Sequence, residues 1–408
     1  MPVFWLQTED HDLVEIAEVA LPGRAGAKLT VAIPASAEDR VSIAHLRLPA
    51  AVDGALAELA AELRGHVHAE VHLDRLARHY RPGARFGEAF AGVLAELFAP
   101  EGLVFIDPRD PALAAAARPV HARALVACER IATALVERSR ELGDRAQVHV
   151  RAGAPLSYLH PHGPEGPRFR LEPKGPGRFA EIGGDSEHGR DELLAGLDGE
   201  PRSVSSSALL RPIVQDSLLR TTAYVGGPAE VAYYAQIEPL WSLFDLPVPR
   251  VVRRSSFRLI PGAVRKKLER LGLAPVDLAR PEDELLSRGQ PPVAAGVARR
   301  LLDPIEQALA ELAAAEPGLA RAVQRTRRLV DRSIERLARK AESAALHRDA
   351  ERVEAVRRLK LILHPGAPQE RSYGLSWFAA RFGDREIVER ALAAVDLADP
   401  SFKDIDLP

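Results

Sequence analysis

Apolar residues recur along this chain with periods that change from segment to segment, and each change predicts an element. Residues 2–6 (PVFWL), 103–107 (LVFID), 147–151 (QVHVR) and 221–225 (TTAYV) are short runs rich in β-branched and aromatic side chains, as expected of buried strands. Residues 50–65, 73–97 on either side of a Pro82–Gly83 break, and 111–142 carry apolar positions at steps of three and four and are read as helices. Helical spacing also runs through 229–243, where Val231, Tyr234, Ile237 and Trp241 share a stripe. Residues 14–48 alternate loosely between Pro and Gly breaks, and 153–201 is rich in Gly, Pro and charge; both predict antiparallel inserts. Residues 250–260 (RVVRRSSFRLI) read as one further strand-like run.

Beyond residue 291 the pattern changes character. Pro317–Gly318 separates a helix over 297–315 from a longer one, in which Val323, Val330, Ile334, Leu337, Ala341 and Ala344 form an apolar seam. This is helical-hairpin or coiled-coil patterning, and a wet seam of this kind predicts a homodimer. One short helix is expected after Phe382, followed by a tail over 399–408. Strands alternating with helices predict an α/β core. The expected organisation is therefore a core over 1–290 with inserts near 14–100 and 153–205, an arm over 291–371, and a return segment over 372–408.

Composition narrows the classes. The chain has 408 residues, 27% charged and 46% hydrophobic, with a net charge of −2. That balance gives no reason to expect nucleic acid or a membrane as partner. A single cysteine, Cys128, excludes an internal disulfide framework and a Cys-rich metal site; it is read as a small buried hydrophobe. No apolar run reaches the roughly twenty residues of a membrane span, and no signal peptide is recognisable, so a cytoplasmic location is expected.

Candidate chemistry concentrates in two places. The first is the run 209–246, where a strand leads into Gly226–Gly227 and then into a helix opened by Pro228. Free N–H groups and the helix dipole converge at such a turn and suit an anion, with glycines that tolerate positive φ and close approach. Arg211, Gln215 and Asp216 lie in an otherwise apolar stretch just upstream and need polar partners; a core-anchoring ion pair is the other reading. The second place is Glu9-Asp10-His11-Asp12, delivered at the carboxyl end of the first strand, where open parallel sheets bind ligands. Three carboxylates around one imidazole are expected to raise its pKa for proton transfer, or to hold a divalent metal; a solvated, capped turn is the plain alternative. Asp107 ends a second strand in the same way. His66, His68 and His72 are read as a surface or capping cluster, and Arg253, Arg254, Ser255 and Ser256 as an anion contact or a basic edge strand.

The run LLRPIVQD…TAYVGGPAEVAYYAQ, with PVFWLQTEDHD at the start, QVHVRAG in the middle and LHPGAPQERSYGLSWFAARFG near the end, closely resembles the BshC family of bacillithiol-biosynthesis cysteine-adding enzymes. The resemblance implies a Rossmann-like core with connecting inserts and a C-terminal α-helical coiled-coil arm that mediates a homodimer. It implies a ligase that adds L-cysteine to the amine of glucosaminyl-malate, with ATP as the expected source of carboxyl activation and no metal. Asp10, His11 and Asp12 are then the expected catalytic residues. Glu9, Arg211, Gln215, Asp216, Tyr224, Gly226, Gly227, Glu230, Tyr233 and Gln236 are the expected substrate- or nucleotide-binding residues. Family members carry a Gly-rich segment (GQQ…GGP) ahead of PVFW, and this chain starts beyond it. Phe4 and Trp5 are accordingly expected to be less covered than their apolar character warrants. A non-catalytic or truncated homologue that binds a ligand and dimerises is the alternative expectation. A metal-dependent hydrolase centred on residues 9–12 and Asp107 lacks the usual repeated His-x-His or Glu-x-x-His ligands.

Overall fold

The computed structural model describes residues 1–13, 16–33, 40–146, 148, 150–288, 293–399 and 401–408. The chain divides into two compact units. One comprises Met1–Val19, Thr30–Phe257 and Leu375–Lys403; the other comprises Ala20–Leu29, Arg258–Gly374 and Asp404–Pro408.

In the first unit, the strand Val3–Trp5 pairs in parallel with Val104–Ile106, placing Phe4 opposite Phe105. A second parallel pair joins Ala223–Gly226 to Arg250–Arg253. Parallel partners need long crossovers, and helices supply them. Five further strands form an antiparallel sheet in the order Glu187–Gly189, Arg178–Glu181, Phe169–Gly175, Ser157–Leu159 and Val204–Ser206, as the insert pattern predicts. One apolar cluster lies among the helices Pro111–Val126, Cys128–Leu142, Arg211–Leu219, Pro228–Ile237 and Pro239–Leu243. It gathers Ile131, Leu135, Ile213, Ile237, Leu240 and Trp241, all at most 1% exposed. A second cluster, with Leu125, Cys128, Leu171, Phe179 and Leu197, packs under the antiparallel sheet.

Several boundaries differ from the sequence reading, each for a local reason. The single helix expected over 111–142 is two. Asp110 caps the first, its carboxylate accepting from the N–H of Ala112 and Leu113 at 2.9 and 3.2 Å. The chain bends at Ala127 (φ −99°, ψ 17°), so Cys128 opens the second. Its side chain is buried, and burial is the main cause that pushes the thiol up to about 11. The helix expected over 229–243 breaks before Pro239, which has no N–H to continue it. The strand expected over 221–225 is Ala223–Gly226, and it is not buried: Val225 is 60% exposed. The run 250–260 is two strands, Arg250–Arg253 and Ser256–Pro261. The latter pairs with Phe402–Leu407, so the expected tail ends in a strand. The strand expected over 147–151 falls on positions 147 and 149, which lie outside the described residues. Phe4 is 38% exposed, its ring 5.6 Å from Phe105 and 6.3 Å from Phe90, while Trp5 is half-buried.

In the second unit, the helices Val293–Ala315 and Ala320–Leu346 form a hairpin across a short turn at Pro317–Leu319. Ile334 is buried and Val323 and Val330 are half-buried. Leu337, expected on the same seam, is instead 53% exposed. Also exposed on the hairpin are Leu301, Ile305 and Leu312 at steps of four and seven on the first helix, Leu319 at the turn and Leu329 on the second. Helix Ala350–Leu363 packs its Val353, Val356, Leu359 and Leu363 inward. Gln369 ties that unit together, its amide accepting from Leu259 N–H at 2.8 Å and donating to the carbonyls of Leu259 and Ile362 at 3.0 Å.

Candidate functional site

The loop after the first strand carries Thr8, Glu9, Asp10, His11 and Asp12, and its side chains diverge. Thr8 donates to Asp107, so the ends of the two paired parallel strands are tied together. Glu9 turns inward and is 4% exposed. One carboxylate oxygen accepts from the Ser206 N–H at 3.2 Å, and the other has no hydrogen-bond partner among the described residues. Burial raises its pKa, against the opposing pull of the Arg109 guanidinium. Arg109 is itself buried and donates to the carbonyls of Pro164, Arg202 and Val204 at 2.6, 3.1 and 3.2 Å.

Asp10 and His11 share one cation. Arg168 lies over the Tyr158 ring at 4.3 Å and donates from Nη2 to Asp10 at 2.5 Å and from Nε to His11 Nδ1 at 2.8 Å. The His11 lone pair at Nδ1 is therefore already taken. Burial and Arg168 lower the pKa of His11, against Asp10 and Asp12. This corrects the expectation that the neighbouring carboxylates raise it, because a desolvated ring beside a guanidinium resists a second positive charge. Asp10 and Asp12 instead face a cavity of about 510 Å³, lined also by Gln7, Thr8, Ile43 and Phe86. Among the described residues, no group of three His, Cys, Asp or Glu is placed to hold a metal ion.

A buried polar set surrounds this loop that sequence reasoning did not find. His121 is 2.9 Å from the Ser157 hydroxyl, and His160 is 2.9 Å from the Ser205 hydroxyl. Burial, with Arg109 nearby, pushes these imidazoles down to about 4 and about 3. Arg168 is the most important omission. The one available signal was its place in the strand-like PRFRLEP, an arginine in an apolar alternation; its partner lies 158 positions away.

The glycine turn is built differently from the anion cradle expected of it. Gly227 has φ −68°, and neither Gly226 nor Gly227 uses positive φ. Gly226 is required by close approach instead, since an added Cβ would sit 2.8 Å from Tyr224 Cε1 and 3.0 Å from Glu230 Cβ. The helix N-terminus already holds an anion: Glu230 accepts from Gly227 N–H at 2.7 Å and from the Tyr224 hydroxyl at 2.7 Å. Arg211 donates to the Tyr233 hydroxyl at 2.6 Å and lies 3.9 Å from Glu230. The Tyr224 and Tyr234 rings stack at 4.2 Å.

The remaining expected residues serve the core. Asp216 accepts from Trp241 Nε1 at 2.6 Å, and burial raises its pKa against that bond. Gln236 accepts from Val148 N–H at 3.1 Å and donates to its carbonyl at 2.6 Å and to Ser139 at 2.9 Å. Gln215 is buried, with Oε1 unpartnered among the described residues. Arg211, Tyr224, Gly227, Glu230 and Tyr233 thus form one cluster, and Glu9, Asp10 and His11 with Arg109 and Arg168 form another. Among the described residues no hydrogen bond or ion pair joins the two. Val214 and Leu218, on the same helix as Arg211, line a void of about 10 Å³ with Glu9, Arg109 and His121.

Paired parallel strands with helical crossovers and a polar loop at their carboxyl ends, followed in the chain by a long helical hairpin, define a Rossmann-like protein with a coiled-coil arm. Residues 1–255 match the bacillithiol biosynthesis BshC N-terminal Rossmann-like domain, and residues 257–407 match the BshC C-terminal coiled-coil domain. The chain belongs to the BshC family. It is similar to proteins named "Putative cysteine ligase BshC" from Solibacter usitatus (32% identity over 402 residues, 94% of this chain and 73% of the relative) and Koribacter versatilis (33% over 395 residues, 94% and 72%). Another relative of that name, from Heliobacterium modesticaldum, is 30% identical over 415 residues, covering 97% and 74%. Among the described residues, no helix is long and apolar enough to cross a membrane.

Proposed function

We propose that this chain is a cytoplasmic ligase that joins the carboxyl group of L-cysteine to the amine of glucosaminyl-malate, with Asp10 and Asp12 as the groups that hold and deprotonate the attacking amine. The observation that carries the reading is the pair of carboxylates facing a cavity at the carboxyl ends of two parallel strands. A carboxylate is the natural partner of an ammonium group, and an amine must lose a proton to form an amide. Arg168 fixes Asp10 and covers the His11 lone pair. His11 is therefore assigned to orientation through its remaining ring nitrogen.

Amide formation from a free acid needs activation, and ATP is the activator this proposal includes. The Gly226–Gly227 turn does not fit its phosphates, because Glu230 fills the helix terminus and takes the Gly227 N–H. That same observation favours the second reading, a non-catalytic homologue that binds a ligand and dimerises. For either reading we propose a homodimer through the arm, where Leu301, Ile305 and Leu312 leave an apolar stripe in water.

The test is mass-spectrometric detection of the amide from L-cysteine and glucosaminyl-malate, with and without ATP, beside calorimetry of glucosaminyl-malate binding. Product formation is expected. Binding without product would establish the second reading, and neither binding nor product would overturn both.

A further inference from the structure

The cavity that Asp10 and Asp12 face joins an acidic lining to an aromatic one. Asp10 uses a single oxygen for its hydrogen bonds: Oδ1 accepts from Arg168 at 2.5 Å and from the His11 N–H at 2.7 Å. Oδ2 is left for a further donor, on a side chain that is 34% exposed. Asp12 is exposed and has no hydrogen bond or ion pair among the described residues. Tyr80, Phe86 and Phe90 supply the aromatic lining, with the Tyr80 and Phe86 rings edge to face at 6.2 Å. Among the described residues, no Lys, Arg or His lines this cavity. A carboxylate without a lining cation and the faces of aromatic rings both attract a positive charge. Aromatic walls with a few placed polar groups also fix the orientation of a small ligand.

We infer that this cavity selects a protonated amine carried on a sugar ring: the ammonium donates to Asp12 and Asp10 Oδ2, and the ring's C–H face packs on Phe90 and Tyr80. The inference rests on the ligase reading for the identity of the acceptor, while the selectivity follows from the lining alone. Space permits it. An apolar cavity of about 150 Å³ takes up benzene. This one measures about 510 Å³, room for a pyranose of about a dozen non-hydrogen atoms with its amine. The malate of glucosaminyl-malate finds no cation in the described lining, and a carboxylate set beside Asp12 is repelled. Ring and amine therefore suffice for recognition in this cavity, and malate adds nothing to it.

The probe is methyl glucosaminide, the ring and amine without the malate, titrated into the full chain by calorimetry at about pH 6, where the amine carries its proton. Methyl glucoside, with a hydroxyl in place of the ammonium, is the neutral analogue. Saturable binding of methyl glucosaminide is expected, with methyl glucoside about tenfold weaker, a difference of about 1.4 kcal/mol, and with L-malate unable to displace it. Phe90→Ala, at a position 39% exposed, should weaken methyl glucosaminide about tenfold, and Asp12→Asn should cut the preference for the ammonium. No saturable binding to the wild-type chain would overturn the inference, as would equal affinity for the two sugars or displacement by L-malate. Undiminished binding to a folded Phe90→Ala chain, or an unchanged preference in a folded Asp12→Asn chain, would overturn it too. A chain that binds methyl glucosaminide with this preference but makes no amide would sink the ligase reading and leave the inference standing. A chain that makes the amide while methyl glucosaminide neither binds nor inhibits would do the reverse. Should either variant fail to fold, the comparison of the two sugars on the wild-type chain still decides.

Discussion

At the residue scale, the sequence singled out polar residues in apolar surroundings, and burial then decided what each does. Asp216 shows this most directly. Its need for a partner was legible from the run LLRPIVQD, but the partner, Trp241, is 25 positions away in the same core. Burial raises its folded pKa above the unfolded value near 3.8. A group shifted that way contributes stability that is fully present below its unfolded pKa and lost as pH rises through the folded one. Asp216→Asn keeps an oxygen to accept from Trp241 and removes the buried charge. The variant should be at least as stable as the wild type at pH 7, with the advantage shrinking as pH falls towards 4; urea unfolding across that range measures it. A clearly less stable Asn variant at pH 7 would mean the charge itself is needed. Trp241→Phe, which removes one of the two side-chain donors to the carboxylate and leaves Thr221, should cost about 1–3 kcal/mol. Arg168 was not legible in this way, because an arginine in a strand-like run has no local sign of a partner 158 positions distant.

At the scale of elements, period and punctuation located most helices, and the exceptions share a cause. Ala127 and Pro239 break helices inside continuous apolar stripes, which periodicity cannot see although backbone geometry can. The Gly226–Gly227 turn was legible as a strand-to-helix junction, but its occupant was not. Glu230, three residues into the helix, reaches back to cap it. Removing that side chain should cost about 1 kcal/mol, the usual worth of a helix cap, and should open the terminus to external anions. Sulfate should then raise the melting temperature of Glu230→Ala more than that of the wild type. An equal sulfate effect on both would show that Glu230 does not block an anion site.

At the scale of the molecule, the family-long motifs made the α/β Rossmann-like core and the coiled-coil arm legible in the sequence. The face of the arm was less legible. The seam read from Val323 to Ala344 supplies Ile334 to the hairpin interior but leaves Leu337 in water, and the longer exposed stripe is Leu301, Ile305 and Leu312. A helix in a hairpin has two contact faces, and a heptad alone does not say which one the hairpin consumes. Replacing Ile305 with Asp should convert the proposed dimer to monomer in light scattering while the far-ultraviolet spectrum is unchanged. A wild-type chain that stays monomeric at high concentration would contradict the dimer.

The central claim is that the carboxylates facing the cavity after the first strand handle the attacking amine. The most direct measurement is the steady-state rate of L-cysteine ligation to glucosaminyl-malate by the wild-type, Asp10→Asn and Asp12→Asn chains, with melting temperatures recorded on the same samples. The account predicts that each substitution lowers kcat by about a hundredfold or more, in the range of a lost general base, with Asp12→Asn leaving the melting temperature within about 2 °C, as befits an exposed side chain. Wild-type rates in a folded Asp12→Asn and a folded Asp10→Asn chain would contradict it.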